Sequence, residues 1–413
     1  MKIDKEKIAS LQENYGKNIL PLSNFENNYF PGTNPLHIIG YYKREISHSK
    51  IEETFFKAVK LYNLFSSRLI MIDDKKFALQ YCTDGAQLHI LQPLNVTVHD
   101  INLDEIKKRL THVKTLPGES LFAMTVIPLK DGYLGGMSCS HAVSDGIGLM
   151  LFGFAWNCMI EGKDVLLPSS QRLFKGEPIG SDQIDRTLTP PLSELGKGIQ
   201  NQFNNVNPIK TYTTNEYFSD ELLNEIKNNS VSENSKYSIS SHQIMTACLL
   251  KNYHHQILPD TDKIVLRSPI NLRDIHPDID AMYLGSANFN SFTEFTKEEI
   301  DTMSITEIAY RLKESMLSMR NEKYAQEIAS LSPYGLEINA DILDKTHPHY
   351  DIETNIVSSN LTHLNDLESL FLGPNVGGIL YMGLVVQTGF TILKEKSGRI
   401  FAQITSRYPF SQS

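Results

Sequence analysis

The stretch Tyr133-Leu134-Gly135-Gly136-Met137-Ser138-Cys139-Ser140-His141-Ala142-Val143-Ser144-Asp145-Gly146-Ile147-Gly148-Leu149-Met150-Leu151-Phe152 decides how this chain is read. Its first part, Tyr133–Ser140, has the character of a strand, and Gly146 and Gly148 open an apolar helix that runs on through Phe154 and Trp156. A histidine at such a strand-to-helix turn, flanked by glycines, has a fixed backbone and a ring free to meet a ligand. Catalytic side chains are commonly displayed in such places. His141 and Asp145 also form a His-x-x-x-Asp pair, but spacing alone proves nothing. Among 13 histidines the pattern recurs at His276/Asp280 and His347/Asp351. Both later copies place a proline directly after the histidine and read as turn-like segments, structural or solvated.

The residues alone leave other readings of the first copy open. His141 fits a satisfied core histidine. With Asp145 it fits part of a metal site, though no third ligand stands out. Cys139 fits a nucleophile, since residues two apart in a strand share a face, but nothing orients the pair.

Working outward, 413 residues exceed one ordinary core and argue for two domains. Hydrophobic content of 41% and charged content of 21% are those of a normal globular protein. A net charge of -9 excludes the basic footprint of a nucleic-acid binder and requires any anionic ligand to be held by a local basic patch. Cys82, Cys139, Cys158 and Cys248 lie far apart, which argues against zinc and a disulfide framework and fits reduced thiols in the cytoplasm. The charged start, MKIDKEKIAS, lacks the apolar core of a signal peptide, and no apolar run reaches the length of a membrane span.

The periodicity predicts a helix over Ile51–Phe65, with Ser49 and Glu52 as its capping box, and a hairpin over Leu69–Tyr81. A second helix over Leu103–Val113 and strands over Phe122–Pro128 and Tyr133–Ser140 follow. Asp164–Lys210 contains Pro168, Pro178, Pro190, Pro191 and Pro208, shows little periodicity, and reads as a long crossover. Beyond it come helices over Asp220–Asn228, Ser241–His254 (capped by Ser240 or Ser241) and Ile305–Arg320 (Ser304 with Glu307). A strand covers Lys263–Pro269, and Ile379–Arg407 is strand-rich with a turn around Gly398. The sum is a mixed α+β chain with domains at 1–163 and 211–413 joined by the crossover 164–210.

Ser140–Trp156, SHAVSDGIGLMLFGFAW, resembles the active-site region of the BAHD acyltransferases, members of the larger superfamily of coenzyme-A-dependent acyltransferases and peptide-synthetase condensation domains. The likeness continues in family order through Pro21-Leu22-Ser23, Ile51–Tyr81, Thr83-Asp84-Gly85-Ala86, Ser240–Lys251, Asn271-Leu272-Arg273 and Tyr283-Leu284-Gly285-Ser286-Ala287. It departs late in the chain. The family's Asp-Phe-Gly-Trp-Gly motif is missing, the only tryptophan is Trp156, and the nearest counterparts are Phe371–Asn375 and Ser358-Ser359-Asn360.

The resemblance implies two chloramphenicol-acetyltransferase-like domains with an active-site tunnel between them and His141 at its centre. His141 would be the general base for direct transfer from acyl-CoA to a small-molecule alcohol or amine, without an acyl-enzyme. Asp145 and Gly146 would support the site, with Asp145 paired to Arg273. Ser358, Ser359 and Asn360 would be oxyanion or tunnel residues. Ser241, Lys251, Lys263 and Arg267 would lie at the mouth, where the coenzyme A phosphates bind. It implies a monomer of secondary metabolism, with acyl-CoA as co-substrate, no resident cofactor and no metal. Two alternatives stand beside it. An acyl carrier protein could supply the acyl group, which the chain's acidity disfavours. A catalytically silent binding or scaffold protein is the other, against which the joint retention of His141, Asp145, Gly146 and Arg273 speaks.

Overall fold

The first half begins with β1 (Ile19–Pro21), β2 (Leu36–Tyr42) and α1 (His48–Leu61), whose apolar stripe of Ile51, Phe55, Ala58 and Val59 is buried. The helix starts earlier than the Ser49/Glu52 pattern predicts. Ser47, in extended backbone, accepts the Lys50 N–H and is the cap. The stripe's last part, Asn63–Ser66, tightens into a 3-10 turn that keeps Leu64 and Phe65 buried. β3 (Ser67–Asp73) and β4 (Lys76–Tyr81) form the predicted hairpin, with Leu69 opposite Leu79. After β5 (Ala86–Ile90), α2 (Leu103–Arg109) ends short of the predicted Val113. Leu110 turns extended and is buried with Ile39, Ile106 and Leu134 instead. β6 (Phe122–Leu129) and β7 (Gly132–Cys139) run antiparallel, and α3 (Gly146–Glu161), apolar all round, lies in the core.

The structure, a computed structural model, describes residues 18–22, 26, 35–73, 76–183, 211–230, 238–277, 279–323, 354–362, 376–384, 388–395 and 397–410. Of the crossover, 164–183 packs back on the first half. Tyr62 Oη donates to the Leu166 carbonyl at 2.8 Å, and Phe174 stacks on Tyr81 with ring centroids 5.2 Å apart. Pro190, Pro191 and Pro208 lie outside the described residues.

The second half comprises β8 (Tyr212–Phe218), α4 (Asp220–Ser230), α5 (Ser241–Ile257), β9 (Lys263–Asn271), β10 (Asn288–Thr296), α6 (Lys297–Thr302) and α7 (Ile305–Met319). It continues through β11 (Asn355–Asn360), β12 (Val376–Leu384), β13 (Gly389–Lys394) and β14 (Ile400–Ser406). Capping boxes at Ser240/Gln243 and Ser304/Glu307 start α5 and α7. Gly398, at φ 91°, makes the left-handed turn between β13 and β14 that the spacing predicts.

Among the described residues the strands form three sheets: β1-β4-β3, the five-stranded β12-β2-β7-β6-β5 and the six-stranded β10-β9-β11-β13-β14-β8. The chain is therefore mixed α+β. The division at the crossover is not a clean partition of strands, because β12, from the C-terminal half, pairs antiparallel with β2. One face of the six-stranded sheet carries Ile356, Phe390 and Ile392 against α5 and α7. Leu393 and Phe401, on its other face, join the core built around α1 and α3. Among the described residues no helix is long and apolar enough to cross a membrane.

Candidate active site

β7 ends where the Ser140 N–H bonds the Leu121 carbonyl at 2.8 Å, and the chain then turns sharply. The N–H groups of Val143 and Ser144 donate to the Ser140 carbonyl, and that of Ala142 to Ser140 Oγ. His141 sits in this turn, 6% exposed, and its carbonyl accepts from Ser286 Oγ. Burial lowers the pKa of its ring to about 4, with the Asp145 charge pulling the other way. The imidazole is consequently neutral at physiological pH.

Asp145 is the N-cap of α3 and accepts four hydrogen bonds. Oδ1 takes the Gly148 N–H at 3.0 Å and Arg273 Nη2 at 3.0 Å; Oδ2 takes the Ala287 N–H at 2.9 Å and Arg273 Nη1 at 2.7 Å. The two side chains are 5% and 3% exposed. Arg273 also donates to the Tyr283 carbonyl at 2.6 Å and the Gly285 carbonyl at 3.2 Å. The carboxylate's acceptor sites are thus filled from within the fold. That excludes the reading of His141 and Asp145 as a metal pair.

The loop 283–287 closes over the turn at Gly148. A Cβ there would lie 2.1 Å from Ser144 Oγ and 2.4 Å from the Leu284 carbonyl, which itself accepts from Ser144 Oγ at 2.5 Å. A second buried pair braces the same loop: Arg172 and Glu26 meet at 2.6 Å with side chains 6% and 0% exposed, and Tyr283 Oη lies 3.5 Å from Glu26.

The remaining candidates scatter. Ser358 Oγ lies 2.8 Å from Thr246 Oγ1 and 3.2 Å from His242 Nε2, so it faces α5. Strand alternation puts Ser359 on the opposite face, which it shares with Arg267 through the Arg267–Val357 register. Asn360 Oδ1 accepts from the Thr362 N–H and hydroxyl, closing its own turn. Ser358, Ser359 and Asn360 therefore do not all point the same way. Lys251 Nζ is bound by the carbonyls of Ile300, Asp301 and Met303, and Lys263 Nζ by Glu294 at 3.0 Å, so neither presents the free cation expected of a phosphate ligand. Ser241 is the first residue of α5 and is partly exposed. His276 is buried in a turn while Asp280 is exposed; His347/Asp351 and Phe371–Asn375 lie outside the described residues. Cys139 is fully buried, its thiol pushed well up by burial, which removes it as a nucleophile. Sequence reasoning missed His242 and Ser286. Ser286 lay inside the quoted motif, and His242 with Thr246 shows the i, i+4 spacing of one helix face.

Buried neutral histidines carry a pH signature. Burial, then His112, pushes His37 down to about 3, and His141 lies at about 4, against 6.5 unfolded. Between about pH 4 and 6.5 the unfolded chain binds more protons, so stability rises with pH in that window and is lost on acidification. Urea unfolding at pH 7, 6 and 5 should show a loss on the order of a few kcal/mol, with a shallower slope in His37→Leu. A flat dependence there would refute neutral burial.

The turn after β7 thus carries a neutral imidazole, braced by Asp145 and Arg273, in a mixed α+β chain. A family model described as the Transferase family matches residues 8–364, and the chain belongs to that family, the BAHD acyltransferases. Among solved structures it is similar to F. sporotrichioides TRI101 complexed with coenzyme A and T-2, at 13% identity and TM-score 0.67, covering 94% of this chain and 95% of that one. It is similar to vinorine synthase at 12% identity and TM-score 0.62, covering 94% and 92%. A starter condensation domain of rhizomide synthetase in complex with C8-CoA matches at 11% identity and TM-score 0.60, covering 97% and 91%. No curated protein matches the sequence.

Proposed function

We propose that the chain moves an acyl group from acyl-CoA to a hydroxyl or amine of a small molecule, in a tunnel between domains at 1–163 and 211–413. The observation that carries this reading is the neutral, buried His141 on a turn held by Asp145 and Arg273. His141 takes the proton of the acceptor as it attacks the thioester carbonyl; the tetrahedral intermediate then collapses, expelling the coenzyme A thiolate, which takes up a proton. No covalent enzyme intermediate is needed when both reactants are held together. Asp145, Gly146 and Arg273 keep the turn in place. Ser359, on the sheet face opposite α5, would donate to the oxyanion. Ser241 and Arg267 remain for the donor's phosphates.

Thiol release by the purified protein tests this, using acetyl-CoA and longer acyl-CoAs with a mixture of alcohols and amines. Release that depends on the acceptor is the expected result. Turnover only with an acyl group loaded on a carrier protein would replace coenzyme A as donor, and no turnover with any donor would favour a binding role.

A further inference from the structure

We infer that His254, His255 and Asp301 form a binding site for one divalent transition-metal ion of the zinc class. The two histidines lie in the last turn of α5 and Asp301 lies in α6, outside the group of residues around His141. Their ligand atoms fall within 4.8 Å of one another. Asp301 meets both: Oδ1 is 3.2 Å from His254 Nε2 and 3.2 Å from His255 Nε2, and Oδ2 is 3.1 Å from His255 Nε2.

The decisive atom is His254 Nε2. His254 is 1% exposed, and its Nδ1 lies 2.7 Å from the Leu250 carbonyl. A carbonyl only accepts, so Nδ1 carries the proton. In a neutral ring Nε2 is then a lone pair, and it faces a carboxylate oxygen without forming a hydrogen bond. Moving the proton to Nε2 sets a lone pair against the Leu250 carbonyl at 2.7 Å, which is worse. Two acceptors face to face are relieved by an imidazolium or by a cation ligated between them. The Lys297 ammonium lies on the Pro259 carbonyl at 2.8 Å and makes no ion pair with Asp301 among the described residues.

The surroundings match what metal-ligating histidines need. A backbone carbonyl on Nδ1 fixes the tautomer and aims Nε2. Lys251 Nζ, on the carbonyls of Ile300, Asp301 and Met303, holds α6 against α5 and so sets the carboxylate's place. His255 and Asp301 are 58% and 50% exposed, which gives an ion its route in and leaves a fourth position to water. Two imidazoles and one carboxylate suit zinc-like ions over Mg²⁺ or Ca²⁺, which prefer oxygen.

The test uses the full chain stripped with EDTA and titrated with ZnCl₂ and CoCl₂, with His255→Ala and Asp301→Ala as surface variants that leave the buried His254 and its Leu250 bond untouched. The expected result is one equivalent bound, the visible absorption of a low-coordinate Co²⁺ site, and a zinc-dependent rise in Tm. Each variant should weaken binding by at least about tenfold and abolish that rise. Failure to bind, binding unchanged in both variants, or equal binding of Ca²⁺ would each overturn the assignment. None of these readouts depends on acyl transfer.

Discussion

Replacing His141 with alanine should reduce acceptor-dependent thiol release by about 10²–10⁴-fold, the range typical of a lost general base, with the unfolding midpoint close to that of the native chain. The two effects separate because of what holds the turn. The bonds that shape it run through backbone atoms and neighbouring side chains: Ser286 on the His141 carbonyl, Ala142 on Ser140 Oγ, and the Asp145 cap. None of these needs the imidazole. The native enzyme should also keep its activity well below pH 6.5, its acidic limb lying near the ring's lowered pKa of about 4, and the residual rate of the variant should lack that limb. Thiol release measured across pH, beside thermal unfolding of both proteins, decides the matter. A His141→Ala protein that keeps most of its rate, or that unfolds as it loses rate, would remove His141 from the chemistry.

What the residues made legible was local. The cap at Ser240, one of the two serines the sequence offers, Ser304/Glu307, the Leu69–Tyr81 hairpin and the Gly398 turn are each settled within a few positions, and the structure places them there. The cap of α1 slipped to Ser47 because Ser47 and Ser49 offer the same chemistry and only the backbone chooses between them. Long-range pairing was out of reach. Nothing in Val376–Leu384 announces that Ile379 lies opposite Gly40 in the other half's sheet. The face of Ser358 was equally hidden, since both it and Ser359 are buried and a strand covered on two sides shows no alternation. Lys251 reads as a phosphate ligand only while α6 is unplaced; the carbonyls that bind it lie some fifty positions onward. The Asp145–Arg273 pair, 128 positions apart, came from family resemblance, because no periodicity connects residues so distant.

That pair carries the second large expectation: Asp145→Asn should lower stability and activity together. The substitution is nearly isosteric, so its effect is electrostatic and directional. Oδ1 faces the Gly148 N–H and Arg273 Nη2, while Oδ2 faces the Ala287 N–H and Arg273 Nη1. An asparagine has one acceptor oxygen and one donor NH₂. Whichever way the amide turns, its NH₂ meets two donors, and the Arg273 guanidinium, 3% exposed, keeps its charge without a counter-charge. Breaking a buried pair by removing one partner typically costs about 3–5 kcal/mol. Spread over the unfolding entropy of 413 residues, that is a fall in Tm of only about 5 °C, so chemical denaturation is the sharper measurement. Activity should fall as well, because the same carboxylate caps α3 and holds the 283–287 loop whose Ser286 bonds the His141 carbonyl. A variant in which both partners become apolar, Asp145→Leu with Arg273→Met, should be less destabilised than Asp145→Asn, since no charge is stranded. It should still be slow, because the loop then loses the Asp145 bonds that help hold it on the turn. An Asp145→Asn protein as stable as the native chain but unable to turn over would instead place Asp145 in the chemistry itself.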